Sequence, residues 1–191
     1  MWRALALEIP EWNFLQATVS ACRPLIGTDG PRRCTSVRDY MFSEFLKNNR
    51  LDGVVLAARW KEGEVEHVEE TIAFLKQHAE RVIVLGPVPE YRGSLPLLLA
   101  QSMFHNNSDL VARSRDESRA HVDTLMSRAV ARTDAIYISE HELICENGGC
   151  RVMLETGTPM AFDYGHLTLE GARWVAVGVR AALTEKWGDL N

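Results

Sequence analysis

The chain has 191 residues, 46% hydrophobic and 25% charged, with a net charge of −5 and a pI near 5.7. That balance belongs to a globular chain with a core to bury and excludes an intrinsically disordered one. A mildly acidic surface speaks against nucleic acid or an anionic membrane as the main partner, and no apolar run approaches the roughly 20 residues a membrane helix needs.

Short β-rich runs alternate with helical patterns along the chain. Residues 13–19 (Asn-Phe-Leu-Gln-Ala-Thr-Val) read as a half-buried strand. Residues 37–48 read as a helix with Val37, Tyr40, Met41 and Phe45 on one face, Ser36 as its N-cap and Asp39 completing a capping box. Residues 53–58 are continuously apolar, as a central parallel strand is. Residues 64–79 form an amphipathic helix with Val65, Val68, Ile72 and Leu75 inward. Residues 81–85 give another buried strand, stopped by Gly86-Pro87-Val88-Pro89. Residues 90–108 read as loop, 109–131 as one long helix, 135–138 as the last strand, 140–167 as irregular chain and 168–187 as a closing helix. Alternation of this kind implies crossovers between parallel strands, in one domain over residues 1–191. Ligands of such sheets bind at the carboxyl ends of the strands, so the loops after Val19, Ala58, Leu85 and Ile138 are the ones to inspect.

Four cysteines fall into two local pairs. Cys22 and Cys34 enclose Pro24, Gly27, Gly30 and Pro31; Cys145 and Cys150 enclose Glu146-Asn147-Gly148-Gly149. Neither pair is a CxxC, so a zinc ribbon or a thioredoxin-type site is disfavoured. Three connectivities are open to four cysteines, and a reduced cytosolic set is the alternative. Local pairing is expected because each partner sits in a turn-rich loop with little core to fill. Two disulfides would indicate an oxidising compartment.

One segment carries chemistry: Asp163-Tyr164-Gly165-His166-Leu167-Thr168-Leu169-Glu170-Gly171-Ala172. An aspartate three residues before a histidine, at the mouth of a helix, can set its carboxylate on the imidazole Nδ1–H. That fixes the tautomer and leaves Nε2 to take a proton from a hydroxyl. The competing reading is a loop histidine tied to a neighbouring carboxylate for structure alone.

This block, DxxH followed by Leu-Thr and a Gly-Ala pair, resembles the last motif block of SGNH (GDSL-like) hydrolases. "WNFLQATVSACRPL" at 12–25, "VVLAARW" at 54–60 and "ICENGGCRV" at 144–152 resemble one branch, the periplasmic SGNH domain fused to acyltransferase family 3 membrane proteins. The resemblance implies a three-layer, flavodoxin-like α/β fold with a parallel sheet in strand order 2-1-3-4-5. It also implies O-acylation of bacterial surface glycans through an acyl-serine intermediate, with His166 as general base and Asp163 orienting it. The partners would be a glycan acceptor and an acyl donor delivered by an upstream acyltransferase family 3 membrane domain, on the periplasmic side of the inner membrane. No cofactor, metal or nucleic acid is expected.

The sequence departs from the family pattern in two places. It contains no Gly-Asp-Ser, the block that supplies the family's nucleophilic serine. By block order that segment falls before Met1, so the sequence is expected to begin inside its domain, with the first strand missing. Ser20 reads as a loop serine, not a substitute. The family's oxyanion hole uses a glycine in its second block and an asparagine in its third; Ala21 stands near the first position and Ala58-Arg59-Trp60 near the second. Ala21 can still donate its backbone N–H, while loss of one side-chain donor typically costs about 3 kcal/mol. Trp60 and Arg59 are candidate substrate-binding residues; the alternatives are a core or rim tryptophan and a solvated strand-end charge. A carbohydrate esterase of the same fold, or a non-catalytic domain that binds glycan or docks a partner, are the alternative functions.

Overall fold

The computed structural model describes residues 1–188, apart from the Trp2 side chain. In chain order the elements are α1 (Trp2–Glu8), α2 (Arg32–Tyr40), a π-helical turn (Met41–Phe45) leading into α3 (Leu46–Asn48), β1 (Leu51–Leu56), a 3-10 turn (Glu62–Glu64), α4 (Glu66–Leu75) and β2 (Ala79–Leu85). There follow α5 (Leu95–Phe104), α6 (Leu110–Arg113), α7 (Ser118–Val130), β3 (Ile136–Ile138), α8 (Glu140–Ile144), β4 (Cys145–Glu146), β5 (Gly149–Cys150) and α9 (Leu169–Trp187). The chain divides into two compact units: Met1–Leu15 with Val88–Arg119 and Glu140–Asn191, and Gln16–Pro87 with Ala120–Ser139.

The second unit holds the parallel sheet, in the order β1-β2-β3. Val54 pairs with Val82 and Leu56 with Val84, while Ile83 pairs with Ile136 and Leu85 with Ile138. Neighbouring strands run parallel because each crossover between them is helical, which is the α/β class that the alternating pattern implied. On one face, Leu56, Val82 and Val84 form a core with Val68, Ile72 and Leu75 of α4 and Val122, Met126, Ala129 and Val130 of α7. Ile83 and Leu85, on the opposite face of β2, are buried as well. That two-sided burial is why residues 81–85 are apolar without alternation. The Cys22–Cys34 disulfide lies in this unit, with its Cα atoms 5.3 Å apart.

In the first unit, α1 packs on α9, burying Ala4 and Leu5 of α1 and Val175, Ala176, Val179 and Leu183 of α9. Arg180 ties them further through the Glu8 carbonyl and the Glu11 carboxylate. The β4–β5 hairpin pairs Cys145 directly with Cys150, which are joined by the second disulfide. Both local cysteine pairings are thus as expected.

Several elements differ from the sequence reading. Residues 13–19 form no strand; they run mostly exposed, and among the described residues β2 is the only strand paired with β1. Their alternation had no partner ladder to satisfy, and alternation alone does not make a strand. Helix α2 begins at Arg32, where Pro31 in extended geometry is the N-cap and its carbonyl accepts from the Cys34 and Thr35 N–H groups. Ser36 is therefore interior, and no capping box forms there. Residues 90–108 contain α5, whose apolar run Leu95-Pro96-Leu97-Leu98-Leu99 lacks a polar face, so no period marks it; Pro96 sits in its first turn, where the missing N–H costs nothing. The expected long helix over 109–131 is broken between α6 and α7, because the Asp116 N–H goes to the Glu90 carbonyl and the Ser114 carbonyl to the Arg92 N–H. The stretch 140–167, read as irregular, contains α8 and the β4–β5 hairpin.

Candidate active site

Asp163, Tyr164, Gly165 and His166 form a tight turn that leads into α9. Its base is a short antiparallel bridge between Ala161 and Leu167, closed by Phe162 N–H donating to the His166 carbonyl at 2.9 Å. Thr168 then N-caps α9, its hydroxyl oxygen accepting from the Gly171 N–H at 3.0 Å. Gly171 lies against the Met160 carbonyl so closely that no β-carbon fits. The Thr-x-x-Gly spacing that follows the histidine thus sets where the helix starts.

The Asp163 carboxylate organises the turn. Oδ1 accepts from the Gly165 N–H at 2.9 Å and the His166 N–H at 2.8 Å, and Oδ2 lies 2.7 Å from His166 Nδ1. Partial burial pushes the Asp163 carboxyl up, but the two backbone N–H groups and the imidazole outweigh it and hold it below the usual carboxylate range. An ionised carboxylate facing Nδ1 favours the tautomer with the proton on Nδ1, so Nε2 carries a lone pair. The His166 side chain is 62% exposed, so that lone pair is reachable. Phe162 stacks on the imidazole at 5.8 Å and Tyr164 meets it edge-on at 5.4 Å, which leaves the ring little freedom to turn. This arrangement can accept a proton from a hydroxyl and return it, the chemistry of a general base.

The turn is also held from outside. The Tyr91 N–H donates to the Tyr164 carbonyl at 2.8 Å, and the Leu95 N–H to the Asp163 carbonyl at 2.9 Å. Tyr91 lies in the loop after β2, one of the loops that sheet topology singles out, and Leu95 is the first residue of α5. The residues that brace the turn, Glu90 to Leu95, lie some 70 positions upstream of it. No short-range spacing announces them.

The other sequence candidates lie in the sheet-bearing unit. Ala21 has φ +60°, the left-handed conformation that glycine favours, and its carbonyl accepts from Arg23 at 2.8 Å. That conformation gives a physical reason for a glycine in the family pattern at this place. Arg59 is exposed in the loop after β1. Trp60 takes the core alternative and not the substrate-binding one: it is 1% exposed, and its indole N–H donates to the Leu85 carbonyl at 2.7 Å. A ring buried on both faces has no surface to offer a sugar. Among the described residues no cluster of histidine, cysteine and carboxylate side chains could hold a metal ion, and no helix is long and apolar enough to cross a membrane.

A parallel α/β sheet together with a histidine that takes its orientation from an aspartate three residues earlier defines an SGNH-type domain. The chain belongs to the family of SGNH domains fused to AT3 domains, whose model matches residues 1–180. A solved structure, the periplasmic domain of a lipopolysaccharide acetyltransferase from Salmonella ser. Paratyphi A, is similar with a TM-score of 0.77. The identity is 18%, over 95% of this chain and 78% of that one. No curated protein matches in a sequence comparison.

Proposed function

We propose that this domain completes an O-acyl transfer to a bacterial surface glycan, on the periplasmic side of the inner membrane, with acyl groups supplied through an AT3 membrane domain. The observation that carries the reading is the 2.7 Å contact between Asp163 Oδ2 and His166 Nδ1 in a member of this family. The AT3 fusion that defines the family supports it, as do the acetyltransferase activity named for the similar Salmonella protein and two disulfides suited to an oxidising compartment.

In this reading a serine hydroxyl loses its proton to His166 Nε2 as its oxygen attacks the donor's acyl carbon. The imidazolium returns that proton to the departing group. A sugar hydroxyl then attacks the acyl-serine, His166 takes the new proton, and the serine leaves with it. Asp163 stabilises the imidazolium without being protonated itself. The 191 residues hold no Gly-Asp-Ser, and the reading takes the serine to come from outside them. The Ala21 N–H is the proposed oxyanion donor and Arg59 a proposed contact to substrate.

The test uses the full protein that carries this domain, with acyl groups on the glycan measured by mass spectrometry. His166→Ala is expected to abolish transfer, and Asp163→Asn to lower it on the order of 10³–10⁴-fold. The 191-residue chain alone is expected to leave a generic ester intact. Ester hydrolysis by that chain, lost in His166→Ala, would place the nucleophile within it and favour a carbohydrate esterase. Transfer that persists in His166→Ala would leave a glycan-binding or docking domain.

A further inference from the structure

We propose that Glu90, clamped by Arg119, is a positioning residue for His166, acting through the contact between its side chain and Gly165; this rests on His166 being the general base. Glu90 is 4% exposed and Arg119 8%, and the Arg119 guanidinium stands 3.6 Å from the Glu90 carboxylate. Two long charged side chains at that burial occupy one place, because neither reaches water without breaking the pair.

Gly165 lies directly against Glu90. A β-carbon on Gly165 would fall 2.8 Å from Glu90 Cγ and 3.6 Å from its Cβ and Cδ. Gly165 does not adopt a positive φ, so the need for glycine there is one of space, not of backbone conformation. The two residues before it are held by the Glu90 loop and the start of α5, with the Tyr164 carbonyl bound by the Tyr91 N–H and the Asp163 carbonyl by the Leu95 N–H. The Glu90 carbonyl itself accepts from the Asp116 N–H at 2.8 Å, which anchors the loop at its other side. Glu90 is thus the seat on which the middle of the turn rests. The two N–H groups that Asp163 Oδ1 binds are those of Gly165, which touches the seat, and His166, the next residue. A shift of Gly165 therefore moves the carboxylate, and with it the imidazole.

The readout is the tautomer of His166, taken from its ring 15N shifts at mildly alkaline pH, where imidazoles are neutral. It needs no substrate and no nucleophile. In the unmodified chain the Nδ1–H form is expected to dominate. Gly165→Ala forces its methyl into Glu90 Cγ and is expected to turn Nδ1–H into the minor form while the fold persists by circular dichroism. Glu90→Gln keeps the shape of the seat and is expected to keep the tautomer. Adding Glu90→Ala to Gly165→Ala removes Cγ, gives the methyl its space and is expected to restore Nδ1–H. Because that pair strips Arg119 of this carboxylate, the rescue is repeated with Arg119→Met. An unchanged tautomer in folded Gly165→Ala overturns the proposal, and so does a Glu90→Gln protein that loses it. These outcomes are separate from transfer: a His166→Ala protein that still acylates glycan defeats the catalytic reading while the tautomer results stand.

Discussion

Asp163 and Glu140 are two carboxyl groups of one structural unit, and their surroundings drive them in opposite directions. Asp163 sits at a turn, half-buried, and is given three hydrogen-bonding partners within three residues of itself. Those partners favour its charge and hold its pKa down. Glu140 opens α8 at 7% exposure, and among the described residues its Oε1 meets no hydrogen-bond donor. Burial pushes its carboxyl up to about 8. At neutral pH the first is an anion prepared to orient an imidazole, and the second is mostly a neutral acid. What separates them is the supply of N–H groups, more than depth alone.

The largest expected effect comes from removing the buried member. The Glu140 pKa of about 8 in the folded chain exceeds the ordinary 4.5, so between those values the folded state keeps a proton that the unfolded state has released. Stability is therefore complete below pH 4.5 and falls as pH rises toward 8, with a slope on the order of 1 kcal/mol per pH unit. Glu140→Gln has no proton to lose. It is expected to flatten that alkaline slope and to be more stable than the parent near pH 7.5 in urea melts. A parent whose stability does not fall between pH 5 and 8 would break the comparison.

Asp163→Asn acts on the other limb and is expected to be smaller. The depressed pKa of Asp163 contributes stability above its unfolded value, and that contribution is lost as pH falls through the folded value. Asparagine retains one oxygen for the Gly165 and His166 N–H groups but not the charge that faces Nδ1. The expected loss at neutral pH is about 1 kcal/mol, with a shallower acid limb than the parent. An acid limb identical in the two proteins would show that the three contacts add nothing to stability.

The same contrast explains how much was legible in the sequence. The Asp163–His166 pair is local, three residues apart, so residue type and spacing revealed it. The cysteine pairs were legible for the same reason, since each closes a short, turn-rich loop. The strands were legible as short apolar runs at 53–58, 81–85 and 135–138; only the middle one, β2, is buried on both faces, and β1 starts two residues earlier, at Leu51, and is mostly half-buried or exposed. Trp60 stayed open between core and cleft because a residue at a strand's end can turn to either, and only packing decides. Helix α5 was missed because five apolar or cyclic residues in a row carry no period. Glu90 and Arg119 were invisible as a pair, because the fold alone brings them together and sets Glu90 against Gly165.

The smallest effect on the pH dependence supplies the control. Thr168 caps α9 two residues after His166, its oxygen accepting from the Gly171 N–H and its hydroxyl donating to the Pro159 carbonyl at 2.9 Å. It carries no titrating group. Thr168→Ala leaves one helix N–H and one carbonyl without this partner, which typically costs about 1 kcal/mol. Nothing in that loss depends on pH, so the stability curve is expected to drop by the same amount at pH 5 and at pH 8. The Asp163 contacts lie upstream of the cap, and the Ala161–Leu167 bridge closes the turn independently of the Thr168 hydroxyl. The His166 tautomer is therefore expected to stay on Nδ1. If Thr168→Ala instead shifts the tautomer, the turn draws its geometry from the helix start as well as from Asp163 and the Glu90 seat. Its order would then belong to the whole segment from Ala161 to Gly171, and the contrast with Glu140 would be one of segments, not of two carboxyl groups.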